Sequence, residues 1–371
     1  MKVIKAVIIG FAHMHVNEVT EYIKNAENME LIGMADIPPF APELTDATYT
    51  RTWNLKNNST KFHMTPYDDY KCMLDELKPD IAFILCENVR KVEVVKECAK
   101  RGVNVSIEKP MAMTLEQALE IKKAVDDSGV EAVINWPLTW RPYYHQQIAA
   151  YKSGVIGKLM KCYFNIGMTG PLGKGAKHRG VMTPIEDITD EQRASTWWYK
   201  GEYGGGTFLD MGCYGCMVNT WVREDDDLPV SVMGFCGNYN TPYMNAPDNI
   251  AAIVEYKDSY GVIEGTWAIP QITLPTGPVL CGTEGVLFCD ADRNVKAVNL
   301  KGEEIPLPEC DIIPHIENLP DHYGYCKANG LPLHKTLTLD WNINVIALLD
   351  AAIKSAASGK KEKVECLKTG E

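Results

Sequence analysis

The first 136 residues alternate short apolar runs with amphipathic segments, and this alternation limits the fold more than any single residue does. "KAVIIG", "ELIGMAD", "PDIAFILC", "VNVSIEKP" and "EAVINW" are near-continuous apolar runs, as expected of strands buried on both faces. Between the first two, Val16, Val19, Ile23 and Ala26 recur at helical spacing. "YDDYKCMLDEL" and "VRKVEVVKECAKRG" read as helices, the second closed by Gly102. A further helix begins at the N-cap Thr114, has Gln117 at its third position and stops at Gly129. Such strand–helix repetition predicts an α/β, doubly wound parallel sheet. Right-handed crossovers align the strand C-termini along one edge, where Gly10, Asp36, Cys86, Glu108 and Asn135 fall.

Past Trp136 the texture changes. "LMKCYFNIGM", "VSVMGFCG", "NIAAIVEY", "YGVIEGTWA", "GVLFCD" and "NVKAVNL" read as strands, with "KDSYG" as a hairpin turn. This half predicts an α+β domain with a largely antiparallel sheet and a few helices. A long amphipathic helix over about Leu337 to Ser358 ends it. The 371 residues favour two domains, 1–136 and 137–371, with the last helix able to pack back on the first. Residues 40–62 form a long polar connection, read as a surface insertion or a subunit contact.

The loop "GFAHMH" follows the first strand. It sits where a G-x-G-x-x-G dinucleotide fingerprint would place its glycines, at Gly10, Ala12 and His15. Only Gly10 is kept. Alanine is the smallest departure at the second position, and His15 forces the helix outward. The helix N-terminus survives as a phosphate site, and His13 or His15 can add a hydrogen bond. Asp36, about 26 residues after Gly10, can accept from the ribose hydroxyls of NAD and repel the extra phosphate of NADP. The competing reading is a turn without a ligand.

Two further stretches carry chemistry. Glu108-Lys109-Pro110 closes the fourth strand, and Pro110 restricts the backbone that aims Lys109. "GEYGGGTFLDMGCYG" allows a backbone that side chains would block. The helix after it carries Asp210 and Tyr214 on one face. Taken alone, Lys109 reads as a solvated lysine and Tyr214 as a core aromatic.

Together with "MAD", "DDYKCMLDELKPD", "NWPLTWRPYY", "SGVIGKL" and "GTEGVLFCD", these pieces resemble the Gfo/Idh/MocA oxidoreductases, the glucose–fructose oxidoreductase and inositol dehydrogenase family. The resemblance implies a Rossmann domain, a second domain with an open-faced, largely antiparallel sheet, a nicotinamide cofactor and sugar or polyol substrates. It makes Lys109 the catalytic lysine and Asp210 the residue that orients substrate. Tyr214 stands where many members have a catalytic histidine, and Lys91 also replaces a common histidine. Arg141 and Pro142 match a supporting motif. The cofactor contacts implied are Gly10, Phe11, Ala12, His13, Met14, Asp36, Cys86, Glu87, Asn88, Glu108, Lys109 and Asn135. Substrate contacts are Lys109, Trp136, Trp197, Trp198, Asp210 and Tyr214.

Oxidising a secondary alcohol removes a proton from oxygen and a hydride from carbon. A phenol is a poor base unless a nearby ammonium lowers its pKa, so Lys109 beside Tyr214 would favour a phenolate and stabilise the alkoxide. If Tyr214 points away, Lys109 alone relays the proton. Residues 169–203 form a polar segment of the kind that covers a site. Its Trp197 and Trp198 either stack on a sugar ring or pack under the loop.

The expected function is therefore an NAD-dependent oxidoreductase acting on a ring hydroxyl of a sugar, glycoside or cyclitol, the 3-position of a glucoside being one case. Two alternatives stand beside it. One is an enzyme with tightly bound NAD as a redox shuttle, working as an epimerase, transhydrogenase or glycoside-cleaving enzyme. The other is a non-catalytic sensor or scaffold. Cys213 and Cys216 form a lone C-x-x-C and there is no H-E-x-x-H, so no metal is expected. The formal charge of −12 argues against nucleic acid. No apolar run reaches the roughly 18 residues of a membrane span. Twelve cysteines spread through apolar runs fit a reducing cytoplasm. The open sheet face calls for a homodimer or homotetramer.

Overall fold

The computed structural model describes residues 3–367 apart from 182, 224, 226, 272, 273, 275 and 276. The first half runs β1 (Ile4–Ile9), α1 (Val16–Asn25), β2 (Met29–Ala35), α2 (Arg51–Lys61), α3 (Tyr70–Leu77), β3 (Ile81–Ile84), α4 (Lys91–Ala99), β4 (Asn104–Glu108), α5 (Leu115–Ser128) and β5 (Ala132–Asn135). The strands pair in the order β2-β1-β3-β4-β5, all parallel. Strand order reverses between β1 and β3, and ligands of open α/β sheets bind in the crevice at such a point. The α5 caps follow the predicted chemistry. The Thr114 side chain accepts from the Gln117 amide, and Gly129 ends the helix with a left-handed φ of 70°.

The segment 40–62 is not merely a loop. It contains α2, whose inward face carries Arg51, Asn54 and Asn58, all buried. Asn54 donates to the carbonyls of Phe11 and Tyr49, while Asn58 donates to Asn17 Oδ1. The helix thus lies against the β1–α1 loop through these hydrogen bonds, with Leu55 packed against the cluster that holds Phe11 and Val16.

The second half begins with α6 (Pro142–Lys152), β6 (Leu159–Gly167), α7 (Asp190–Ser195) and α8 (Cys213–Trp221). It continues through β7 (Ser231–Gly237), β8 (Asn249–Glu255), β9 (Tyr260–Thr266), β10 (Val279–Gly282), β11 (Gly285–Cys289), β12 (Val295–Asn299) and β13 (Glu304–Ile305). Then come α9 (Leu319–Asn329), α10 (Leu339–Ser358) and β14 (Glu362–Lys363). Nine strands form one sheet, β13-β12-β11-β10-β6-β9-β8-β7-β14, antiparallel except for the β6–β9 pair. Along β7 and β8 the burial alternates, as in a sheet with one covered face. Met160, Met233, Phe235, Ile253 and Tyr260 are exposed in this sheet.

One apolar core runs through both halves, joining β3, β4, α8, β9 and α10. Trp136 donates to Asn342 Oδ1 of α10 at 2.6 Å, and Gly234 of β7 donates to Ser355 Oγ of the same helix at 2.9 Å. Cys213 and Cys216 are both buried on α8, and the twelve cysteines are unpaired, with Cys72 exposed. Among the described residues no helix is long and apolar enough to cross a membrane.

Candidate active site

The carboxyl edge of the parallel sheet meets the glycine-rich turn before α8. Gly10 ends β1 with φ 91°, and a Cβ there would approach the Cys86 amide nitrogen to 2.6 Å. Only glycine permits this contact of the β1 and β3 ends. In the second half Gly204 and Gly206 also have left-handed φ, and a Cβ on Gly205 would run into the carbonyls of Trp197 and Trp198. Asn88 Nδ2 donates to the Gly204 carbonyl at 2.7 Å and so ties the two edges together.

Across that seam lies Lys109. Its Nζ donates to Asp210 Oδ1 at 2.7 Å and to the Asp210 carbonyl at 2.8 Å. Trp267, which sequence reasoning did not single out, donates from Nε1 to Asp210 Oδ2 at 3.0 Å. Both carboxylate oxygens are therefore committed, and the ammonium keeps one N–H for another acceptor. Burial alone would lower the Lys109 pKa, but the Asp210 carboxylate outweighs it and holds the amine protonated. Lys91, noted in the sequence only as replacing a common histidine, has a structural task here. Its ammonium, wholly buried, donates to Asn88 Oδ1, the Glu108 carbonyl and the Pro110 carbonyl. Those bonds fix the backbone that carries Lys109, and burial pulls the Lys91 pKa down to about 8.

Tyr214 reaches the same place but not in the expected way. Lys109 Nζ lies 4.2 Å from the centroid of its ring, over the face. Burial pushes the phenol well above its usual range, against the pull of Lys109. Burial thus disfavours the phenolate that the sequence suggests. Trp136 departs from the expected substrate contact. It is fully buried, stands edge-on to Tyr214 at 5.9 Å and spends its indole N–H on Asn342, which leaves no surface for a substrate.

Trp197 and Trp198 adopt the packed alternative. They stack at 4.1 Å, are buried, and lie against the β1–α1 loop, with Trp197 Nε1 donating to the Ala12 carbonyl at 2.9 Å. The ring of His13 lies 4.8 Å from that of Trp198. His15 Nδ1 is 2.9 Å from Glu108 Oε1, and the Glu108 carboxylate outweighs burial in raising the His15 pKa. Asn135 donates to Glu108 Oε2 at 3.0 Å and accepts from Trp140 Nε1 at 3.1 Å, so its amide orients Glu108.

Asp36 Oδ1 accepts from the Phe11 amide and from Arg51 Nη1, each at 2.9 Å. Arg51 also bonds Glu87 and the Ile37 carbonyl. Glu43 faces the same guanidinium, yet burial still lifts its pKa to about 7. Three carboxylates thus share one buried cation. Cys86 and Glu87 are buried and contribute through the backbone and through Arg51.

Several polar atoms at this edge have no partner among the described residues: the amides of Ala12 and Met14, Asp36 Oδ2 and the buried Trp198 Nε1. Two amides before the α1 N-terminus, one indole N–H from the second half and one carboxylate oxygen fit a ligand bearing phosphate oxygens and a diol. The residues present are compatible with a dinucleotide.

Residues 4–135 match the model of an oxidoreductase family with an NAD-binding Rossmann fold, and residues 146–288 match the Gfo/Idh/MocA C-terminal domain. Trans-1,2-dihydrobenzene-1,2-diol dehydrogenase of Xenopus tropicalis is 22% identical over 339 residues, 87% of this chain and 93% of the relative. The scyllo-inositol 2-dehydrogenase (NAD(+)) of Bacillus subtilis is 21% identical over 284 residues, 73% of this chain and 72% of the relative. The WlbA dehydrogenase of Bordetella pertussis, solved with NADH and UDP-GlcNAcA, has the same fold. Its TM-score is 0.74 at 17% identity, covering 99% of this chain and all of that one.

Proposed function

The chain belongs to the Gfo/Idh/MocA oxidoreductase family, and we propose that it interconverts a secondary alcohol and a ketone on a sugar, glycoside or cyclitol, with NAD preferred over NADP. The observation that carries this reading is the buried Lys109 ammonium, locked by Asp210 with one N–H to spare beside the β1–α1 loop. The relatives named as polyol and dihydrodiol dehydrogenases support the substrate class.

The loop amides of Ala12 and Met14, Trp198 Nε1 and Asp36 Oδ2 would hold the dinucleotide. The nicotinamide, when bound, supplies the hydride acceptor or donor. Lys109 turns its remaining N–H to the substrate oxygen, steadies negative charge there and supplies the proton in the reducing direction. Asp210 positions Lys109, and Trp267 positions Asp210. Tyr214 offers its ring face to the ammonium and acts as a neutral wall. NAD is preferred because Arg51 is already neutralised by Asp36, Glu87 and Glu43, so a 2′-phosphate meets net negative charge. We divide the chain after Trp136 and take the exposed apolar face of the nine-stranded sheet as a subunit contact.

Titration with NADH, read by nicotinamide fluorescence, followed by a sugar, glycoside and cyclitol panel monitored through NADH formation, tests the reading. Saturable binding with turnover of at least one panel member is expected. Absence of NADH binding would leave a scaffold role. A second reading, in which the cofactor stays bound as a shuttle, is favoured by the seal over the loop. Trp197 closes on Ala12, and Gly180 lies so close to the backbone of Asn17 and Glu18 that a Cβ would reach 2.6 Å. Stoichiometric NAD released on denaturing the purified protein is its signature.

A further inference from the structure

The hydride reaction leaves one cluster at the loop without a task. His13, His15 and Glu108 each offer a metal-binding atom, and the three atoms lie within 4.8 Å of one another. We propose that these residues bind a divalent transition-metal ion of the zinc class. This goes beyond the redox reading and does not depend on it.

The donor set argues for the ion class. Two imidazoles and one carboxylate suit zinc and its neighbours, whereas magnesium and calcium favour all-oxygen shells. Three protein ligands leave a coordination position open for water or a ligand oxygen. Bonds of about 2.0–2.2 Å to the ion set ligand–ligand separations of roughly 3–3.5 Å. The 2.9 Å between His15 Nδ1 and Glu108 Oε1 is already close to that range. The third ligand is His13, and the widest separation in the cluster is at most 4.8 Å, which a side-chain rotation can close.

The surroundings support the same assignment. Metal-binding carboxylates are usually held by outer hydrogen bonds, and here Asn135 bonds Glu108 Oε2 while Trp140 fixes Asn135. An ion pair between His15 and Glu108 explains two of the three residues but not His13, whose buried ring stands 4.4 Å from that of His15. The His13 Nδ1 lone pair accepts only the His15 amide, at a long 3.2 Å, and so competes weakly with a cation. The buried ammoniums of Lys91 and Lys109 act on His13 and oppose a cation, so Glu108 carries the compensating charge among the three ligands. His15 replaces the fingerprint's third glycine, so a cation at this point strengthens an anion site that the substitution weakens.

The full chain is stripped with a chelator, reloaded with Zn2+, desalted and assayed for zinc by mass spectrometry. About one ion per chain is expected. His15→Ala and Glu108→Gln should each lower retention at least tenfold, with thermal unfolding reporting on the fold. His13→Asn serves where either variant fails to fold. Because the chain has twelve cysteines, the Co2+ form is examined by visible absorption, and a spectrum without thiolate charge transfer is expected. Equal retention in wild type and variants, no stoichiometric zinc, or a thiolate band would overturn the proposal. NADH binding is measured on the same samples. Zinc-free protein that binds NADH removes the metal site and keeps the cofactor reading, and the reverse pattern removes the cofactor reading alone.

Discussion

Arg51→Ala probes the buried charge cluster directly. The guanidinium is almost fully enclosed and holds Asp36, Glu87 and the Ile37 carbonyl, with Glu43 close by. Removing it leaves three carboxylates facing one another away from bulk water. Loss of one partner from a buried pair costs about 3–5 kcal/mol, so a loss of that size is expected at pH 8. The sign of the pH dependence follows from Glu43, whose folded pKa is raised by burial to about 7 from 4.5. A carboxyl raised on folding favours the folded state at low pH, and that contribution disappears as pH rises through the folded value. Without Arg51 the Glu43 carboxyl loses the cation that lowers it and moves further up. The deficit of the variant should therefore be widest above pH 7 and smaller at pH 5. Urea unfolding of wild type and variant at pH 5 and pH 8, followed by tryptophan fluorescence, reads both quantities. Equal stability at pH 8, or a loss that does not shrink at pH 5, would refute the reasoning.

Other outcomes concern the site. Lys109→Met should lower turnover by about 10²–10⁴-fold while NADH affinity stays within a few-fold, checked by steady-state kinetics and fluorescence titration. Tyr214→Phe should keep the shape of the wild-type pH–rate profile, because burial opposes ionisation of the hydroxyl; a displaced profile would restore the phenolate. Asp36→Asn should reduce discrimination between NADH and NADPH by about tenfold, read as a ratio of dissociation constants, since a carboxylate no longer repels the added phosphate.

Much of the first half was legible because parallel strands are buried on both faces and so leave continuous apolar runs. Gly10, Thr114 and Gly129 carried their conformational roles in their identities. The helix Arg51–Lys61 was illegible for the opposite reason, since its inward face is Arg51, Asn54 and Asn58 and gives no apolar period. The strands β10, β13 and β14 are too short for alternation to register. Lys109 and Asp210 were found through motifs, but Trp267 binds Asp210 across 57 positions and no local pattern announces it. Tyr214 shows another limit. Its approach to Lys109 was anticipated, whereas no local pattern says whether ring face or hydroxyl meets the ammonium. His13 and His15 were visible as H-x-H, but their carboxylate partner stands 93 positions beyond His15 and was invisible as such.

The helix α10 belongs to neither sheet alone. Asn342 is bonded to Trp136 and Ser355 to Gly234, while Asp340 pairs with Lys122. A pin fastened at both ends leaves the two lobes little freedom to swing like jaws.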